Sequence, residues 1–126
     1  MDVLRIITKI LFPDHLTDLR KLGEEQLRAT LRKEMTDRLE RAIPSVVRTL
    51  KKQTDPEKLT PRGRIREALF LLWKSLVRKG ELADIFRDSQ DDRIIAALGE
   101  TQLTEGVDPT EALVRRVAQE MVRLTL

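Results

Sequence analysis

The sequence predicts an all-α protein: a compact bundle of about five to seven helices forming a single domain over residues 1–126. Three observations carry that expectation. Hydrophobic residues make up 40% of the chain but aromatics only 3%, so the core has to be built from Leu, Ile, Val and Ala. A sheet would draw on Val, Ile, Tyr, Phe and Thr in alternation, and no six-residue run alternates cleanly enough for a strand. The length of 126 residues is enough for one modest core rather than several.

The bundle is expected to be organised around Ile65–Gly80, with a central hydrophobic helix at about 62–79. Ile65, Ala68, Leu69, Leu72, Trp73, Leu76 and Val77 recur at helical spacing. Phe70 and Leu71 widen that face until little of the middle turn is polar, so the helix has to be covered on most sides or wait for a partner chain. Thr60-Pro61 marks its start, and Gly80 after Arg78-Lys79 marks its end.

The flanking elements follow in chain order. Asp2–Phe12 reads as an amphipathic N-terminal helix (residues 1–12), with Ile6, Ile7, Ile10 and Leu11 among its apolar residues and Arg5, Thr8 and Lys9 opposite; Pro13 ends it. A basic helix of this kind can lie on an anionic membrane, but a small all-α core needs every such face, so packing on the core is the expectation. A long helix is expected from near Thr17 to about Ile43, with Glu24–Arg28, Glu34–Arg38 and Asp37–Arg41 as i, i+4 pairs. Pro44 predicts a break or kink at Ile43–Ser45, with Ser45–Lys52 a further helical segment.

Residues 53–63 read as a basic Pro/Gly loop, because Pro56, Pro61 and Gly63 fall within one short span. Beyond Gly80, a short helical turn is expected at Glu81–Arg87. A helix follows from Ser89 with Ile94, Ile95, Ala97 and Leu98 inward, and Gly99 stops it. After a polar connection over Glu100–Val107, Asp108-Pro109-Thr110-Glu111 announces the last helix with a capping acid and a proline at its first position. Leu113, Val114, Val117, Ala118, Met121 and Leu124 are its expected buried face.

Chemistry-bearing patterns are sparse. The chain has no cysteine, which excludes disulfides, thiolate metal sites and a cysteine nucleophile. Its single histidine, His15, excludes a two-histidine metal centre within one chain. His15 lies beside Asp14 and Asp18, and reads as a cap or surface residue rather than an oriented base. The five glycines match neither a phosphate loop nor a dinucleotide fingerprint. Asp84, Asp88, Asp91 and Asp92 lack the glycine and bidentate glutamate of a calcium loop, and read as a solvated turn. The expectation is a non-enzyme with no catalytic, cofactor-binding or metal residues.

Glu81–Glu100 resembles, over about twenty residues, the helix-turn-helix pattern of repressors. Arg87 stands at the turn position that usually holds glycine, Asp88 at the apolar position after it and Arg93 at the expected inward aliphatic. The reading helix would present Gln90, Asp91 and Asp92 to phosphates, so the stretch is rejected as a DNA reader. No hydrophobic run approaches the roughly 20 residues of a membrane span, and no signal-peptide cleavage pattern follows Met1, so a cytoplasmic protein is expected.

Charge is distributed unevenly. Residues 1–80 carry 19 Lys and Arg against 11 Asp and Glu, a balance of +8, and residues 81–126 carry 5 against 10, a balance of −5. The densest positive cluster is Arg48, Lys51, Lys52, Lys58, Arg62, Arg64 and Arg66, the candidate surface for an anion or nucleic acid. Arg28, Arg32 and Lys33 could extend it. With no aromatics expected on the surface, the predicted mode is backbone or shape recognition of a duplex or RNA. The leading expectation is a non-catalytic interaction module, a homo-oligomer or a subunit of a complex, with Phe70, Leu71 and Trp73 as candidate interface. Nucleic-acid binding through residues 48–66 is the alternative, with no cofactor implied by either.

Overall fold

The backbone of the bundle is one long helix, and its bounds are the first departure from the sequence-based expectation. The computed structural model describes residues 3–76, 93–98 and 108–126. Within them the chain is all-α: α1 (Val3–Leu11), α2 (Leu16–Arg20), α3 (Glu24–Lys51), α4 (Pro56–Leu59), α5 (Pro61–Leu76), α6 (93–98) and α7 (Pro109–Thr125). No strand occurs among the described residues. The expected turn at Glu81–Arg87, the acidic cluster at Asp84–Asp92, most of the Glu81–Glu100 stretch and the stops at Gly80 and Gly99 lie outside them.

The helix expected from Thr17 to Ile43 is two helices. Lys21 and Leu22 donate back to Asp18 and Leu19 at 3.3 and 3.1 Å, three residues apart, which tightens and closes α2. Gly23 is then extended (φ −64°, ψ 159°) and its carbonyl accepts from Leu27 at 2.9 Å, opening α3. Of the break or kink expected at Pro44, the break does not occur: α3 runs through the proline for 28 residues. An interior proline costs roughly 3 kcal/mol through a lost donor and a clash with the carbonyl four residues back. Here Leu39 and Ile43 before it and Val46 and Leu50 after it are all buried, so core packing on both sides outweighs that local penalty.

α5 crosses the bundle as its central helix. Ile65, Ala68, Leu69, Leu72, Trp73 and Leu76 are buried on the face their spacing predicts, while Val77 lies outside the described residues. α3 packs most extensively on α7 and α5, and α1 closes over α3 with Ile6, Ile7 and Leu11. The N-terminal helix therefore spends its apolar face on the core. Thr8, expected on its polar side, is buried, and its hydroxyl donates to the Leu4 carbonyl at 2.6 Å. No described helix is long and apolar enough to cross a membrane.

Two ties fix how α3 and α7 lie. Lys51 at the end of α3 meets Asp108 before α7, and Arg28 near the start of α3 donates to the main-chain oxygen of Leu126. The two helices are therefore antiparallel. Of the three pairs expected along α3, Glu24–Arg28 and Glu34–Arg38 form, at 3.2 and 2.8 Å. Arg41 turns instead to the Asp37 carbonyl at 3.3 Å.

Candidate nucleic-acid interface

The segment expected to be a loop, residues 53–63, is largely helical, and that placement positions the basic side chains. Both prolines sit at first helical positions, where a missing N–H costs nothing. The Asp55 carboxylate accepts from Glu57 N at 3.0 Å and caps α4. The Thr60 hydroxyl donates to the Glu57 carbonyl and accepts from Gly63 N, both at 3.0 Å, so one side chain ends α4 and starts α5. Gly63 is where the two helices touch: a Cβ there would lie 2.2 Å from the Glu57 carbonyl oxygen and 2.9 Å from Lys58 Cα. Only glycine permits this approach.

All seven predicted cations, Arg48, Lys51, Lys52, Lys58, Arg62, Arg64 and Arg66, are exposed. Lys51 pairs with Asp108, and Lys58 reaches Glu67 at 3.7 Å. The other five make no ion pair among the described residues. The hydrogen bond from Lys51, helped by the N–H groups of Thr110 and Glu111, holds the Asp108 carboxyl below its ordinary value. That acid is consumed by Lys51 and by the cap of α7, so it does not neutralise the remaining cluster.

The structure divides the cluster into two sides. Lys51, Lys58 and Arg64 line a cavity of about 210 Å³ with Gln53, Thr110, Leu50, Leu59 and Leu113, where α3, α4, α5 and α7 meet. Arg62 and Arg66 leave α5 elsewhere, because two residues along a 3.6-residue turn rotate a side chain by about 200°. They begin a row at four-residue spacing, Arg62, Arg66, Phe70 and Lys74, and every member is exposed. The Lys74 ammonium lies 5.9 Å from the Phe70 ring centroid, within cation–π range. Arg28, considered as an extension of the cluster, is occupied by Glu24 and Leu126. Arg32 faces a different surface, between α3 and α7.

The three candidate interface residues separate as well. Trp73 is 3% exposed and belongs to the core, Leu71 is half-buried, and Phe70 is 43% exposed. From the sequence Phe70 reads as a candidate subunit contact on an apolar face, not as an aromatic set among exposed cations. Its place in the Arg62–Arg66–Lys74 row is the signal that could have found it. His15 is exposed, with its ring edge-on to Phe12 at 6.5 Å. No group of three His, Cys, Asp or Glu suited to a metal ion occurs among the described residues. Comparison with protein-family models, curated proteins and solved structures finds no match to this chain, so its function has to be argued from this geometry.

Proposed function

We propose that this chain is a non-catalytic helical module that binds the phosphate backbone of nucleic acid through the exposed cations of α3 and α5, with the Arg62–Arg66 row of α5 at the centre of the contact. The observation that carries the proposal is charge without neutralisation. Arg48, Lys52, Arg62, Arg64 and Arg66 are exposed and make no ion pair among the described residues, whereas on α7 Arg115, Arg116 and Arg123 all have glutamate partners. Cations left unpaired in this way offer sites where phosphates displace condensed counterions. Phe70 adds an apolar face between Arg66 and Lys74, and an aromatic flanked by cations suits a strand whose bases are unstacked.

A salt series with generic single-stranded and duplex DNA and RNA tests this reading. Binding tighter than roughly micromolar, with affinity falling steeply as salt rises, is the expected result. A weak and flat response overturns it. The alternative, an assembly module, rests on Phe70 and Leu59, the large exposed hydrophobics among the described residues, with Trp73 in the core.

A further inference from the structure

On the solvent face of α5 the order of the side chains is as informative as their charge. Arg62, Arg66, Phe70 and Lys74 are exposed and follow one another at four-residue intervals. Each step advances about 6 Å along the axis and turns about 40°, so Arg66 and Lys74 flank Phe70 one helical turn to either side. None of the three cations makes an ion pair among the described residues. The single acid of α5, Glu67, is engaged by Lys58 at 3.7 Å. The charge of the row is therefore open to a ligand, and it is positive on both sides of an aromatic ring.

A simple anion needs no ring, and a lipid surface needs an apolar face several residues wide. Phe70, 43% exposed, is the one large exposed hydrophobic of α5. A base-paired strand turns its bases inward and gives that ring nothing to stack on. An unstacked strand presents one base between two phosphates, the same order of groups as the row. In the free protein the Lys74 ammonium lies over the ring, 5.9 Å from its centroid. A cation over an exposed ring is a weaker contact than a base stack, so an incoming base takes the ring and releases the ammonium to the adjoining phosphate.

We propose that α5 binds a short single strand in one register, with consecutive phosphates on Arg62, Arg66 and Lys74 and the base between the last two stacked on Phe70. This rests on the nucleic-acid reading above, and adds to it a strand type, a length and Lys74 as a phosphate ligand. Three internal phosphates make about four nucleotides the shortest complete ligand, at the lower end of known single-strand site sizes.

The probes are thymidine oligonucleotides of two to about twelve nucleotides, titrated at low salt and followed by nuclear magnetic resonance shifts. Affinity rises steeply up to about four nucleotides and only gradually beyond, as further registers overlap. In the shortest complete ligand, removing the base from one inner nucleotide while keeping its sugar and phosphates weakens binding about tenfold, the scale of one lost stack. Removing the other inner base costs little, and the costly position gives the polarity of the strand. Phe70→Ala abolishes that difference, and Lys74→Gln lowers the salt slope by about 0.7. Circular dichroism shows that both variants remain folded. Equal losses at the two inner positions, a loss that survives Phe70→Ala, or affinity that climbs with length without a step overturns the register and leaves phosphate binding in place. Absence of binding at every length overturns both. Tighter binding to phosphatidylglycerol vesicles than to any strand overturns both in favour of a lipid surface.

Discussion

The Lys51 ammonium donates to the Asp108 carboxylate, so the residue that caps α7 also ties it to the end of α3. Asp108 has its pKa lowered in the folded state, first by that hydrogen bond. A depressed carboxylate contributes stability that is fully present above its unfolded value and lost as pH falls through its folded value. Asp108→Asn keeps a capping oxygen and removes the charge. It should melt below the wild type at neutral pH, and the gap should close as pH falls below the ordinary value of 3.8. Thermal melts at neutral pH and at about pH 2 check this.

Gly63→Ala should cost on the order of 1–3 kcal/mol, because a methyl group collides with α4 backbone that has little room to shift. Moving α4 also moves Lys58 away from Arg64, so the substitution should weaken anion binding beyond its effect on stability. Urea unfolding together with a salt series on the variant separates the two effects.

Trp73→Ala should destabilise the fold by about 3–5 kcal/mol, the usual range for truncating a large buried aromatic. With the ring 3% exposed, the loss should appear in denaturant midpoint rather than as dissociation of an oligomer. A variant with unchanged midpoint would contradict the position of this ring.

Thr125 is buried, and its hydroxyl has no hydrogen-bond partner among the described residues. Thr125→Val replaces that hydroxyl with a methyl group of similar size. It should raise stability by about 1 kcal/mol, since an unsatisfied buried hydroxyl is penalised. A lower melting point would show that the hydroxyl has a partner.

Phe70→Ala should cost about 1–3 kcal/mol in affinity for single strands and almost nothing for duplex, where bases stay stacked. Arg62→Glu or Arg66→Glu should weaken both, and each lost phosphate contact should reduce the salt slope by about one. Equal effects of Phe70→Ala on both strand types would place the ring outside the nucleic-acid path.

Much of the fold was legible wherever periodicity and capping agreed. The buried face of α5 and the cap at Asp108 follow from local spacing, which the folded structure keeps. Pro44 does not break α3, because its penalty is local whereas the support of Leu39, Ile43, Val46 and Leu50 is tertiary. Pro56, Pro61 and Gly63, read as breakers, start two helices and allow them to touch. The basic residues were visible as a cluster, but their division into a cavity side and a row side depends on the helical phase of Arg62, Arg64 and Arg66. The surface between α3 and α7 that Arg32 faces was illegible, since it joins residues that no linear pattern brings together.

The antiparallel pairing of α3 and α7 also dictates when this protein can fold. Lys51 waits 57 residues for Asp108, and Arg28 waits 98 residues for Leu126. At roughly 5–20 residues per second, ribosomal synthesis separates Arg28 from its partner by about 5–20 s. Throughout that interval the α7-facing side chains of the nascent α3, Leu39 and Ile43 among them, have no α7 to cover them. Contacts of such long sequence separation carry a loop-closure cost and form late in folding. Synthesis halted before α7 should therefore yield an aggregation-prone chain that holdase chaperones retain, rather than a smaller folded domain.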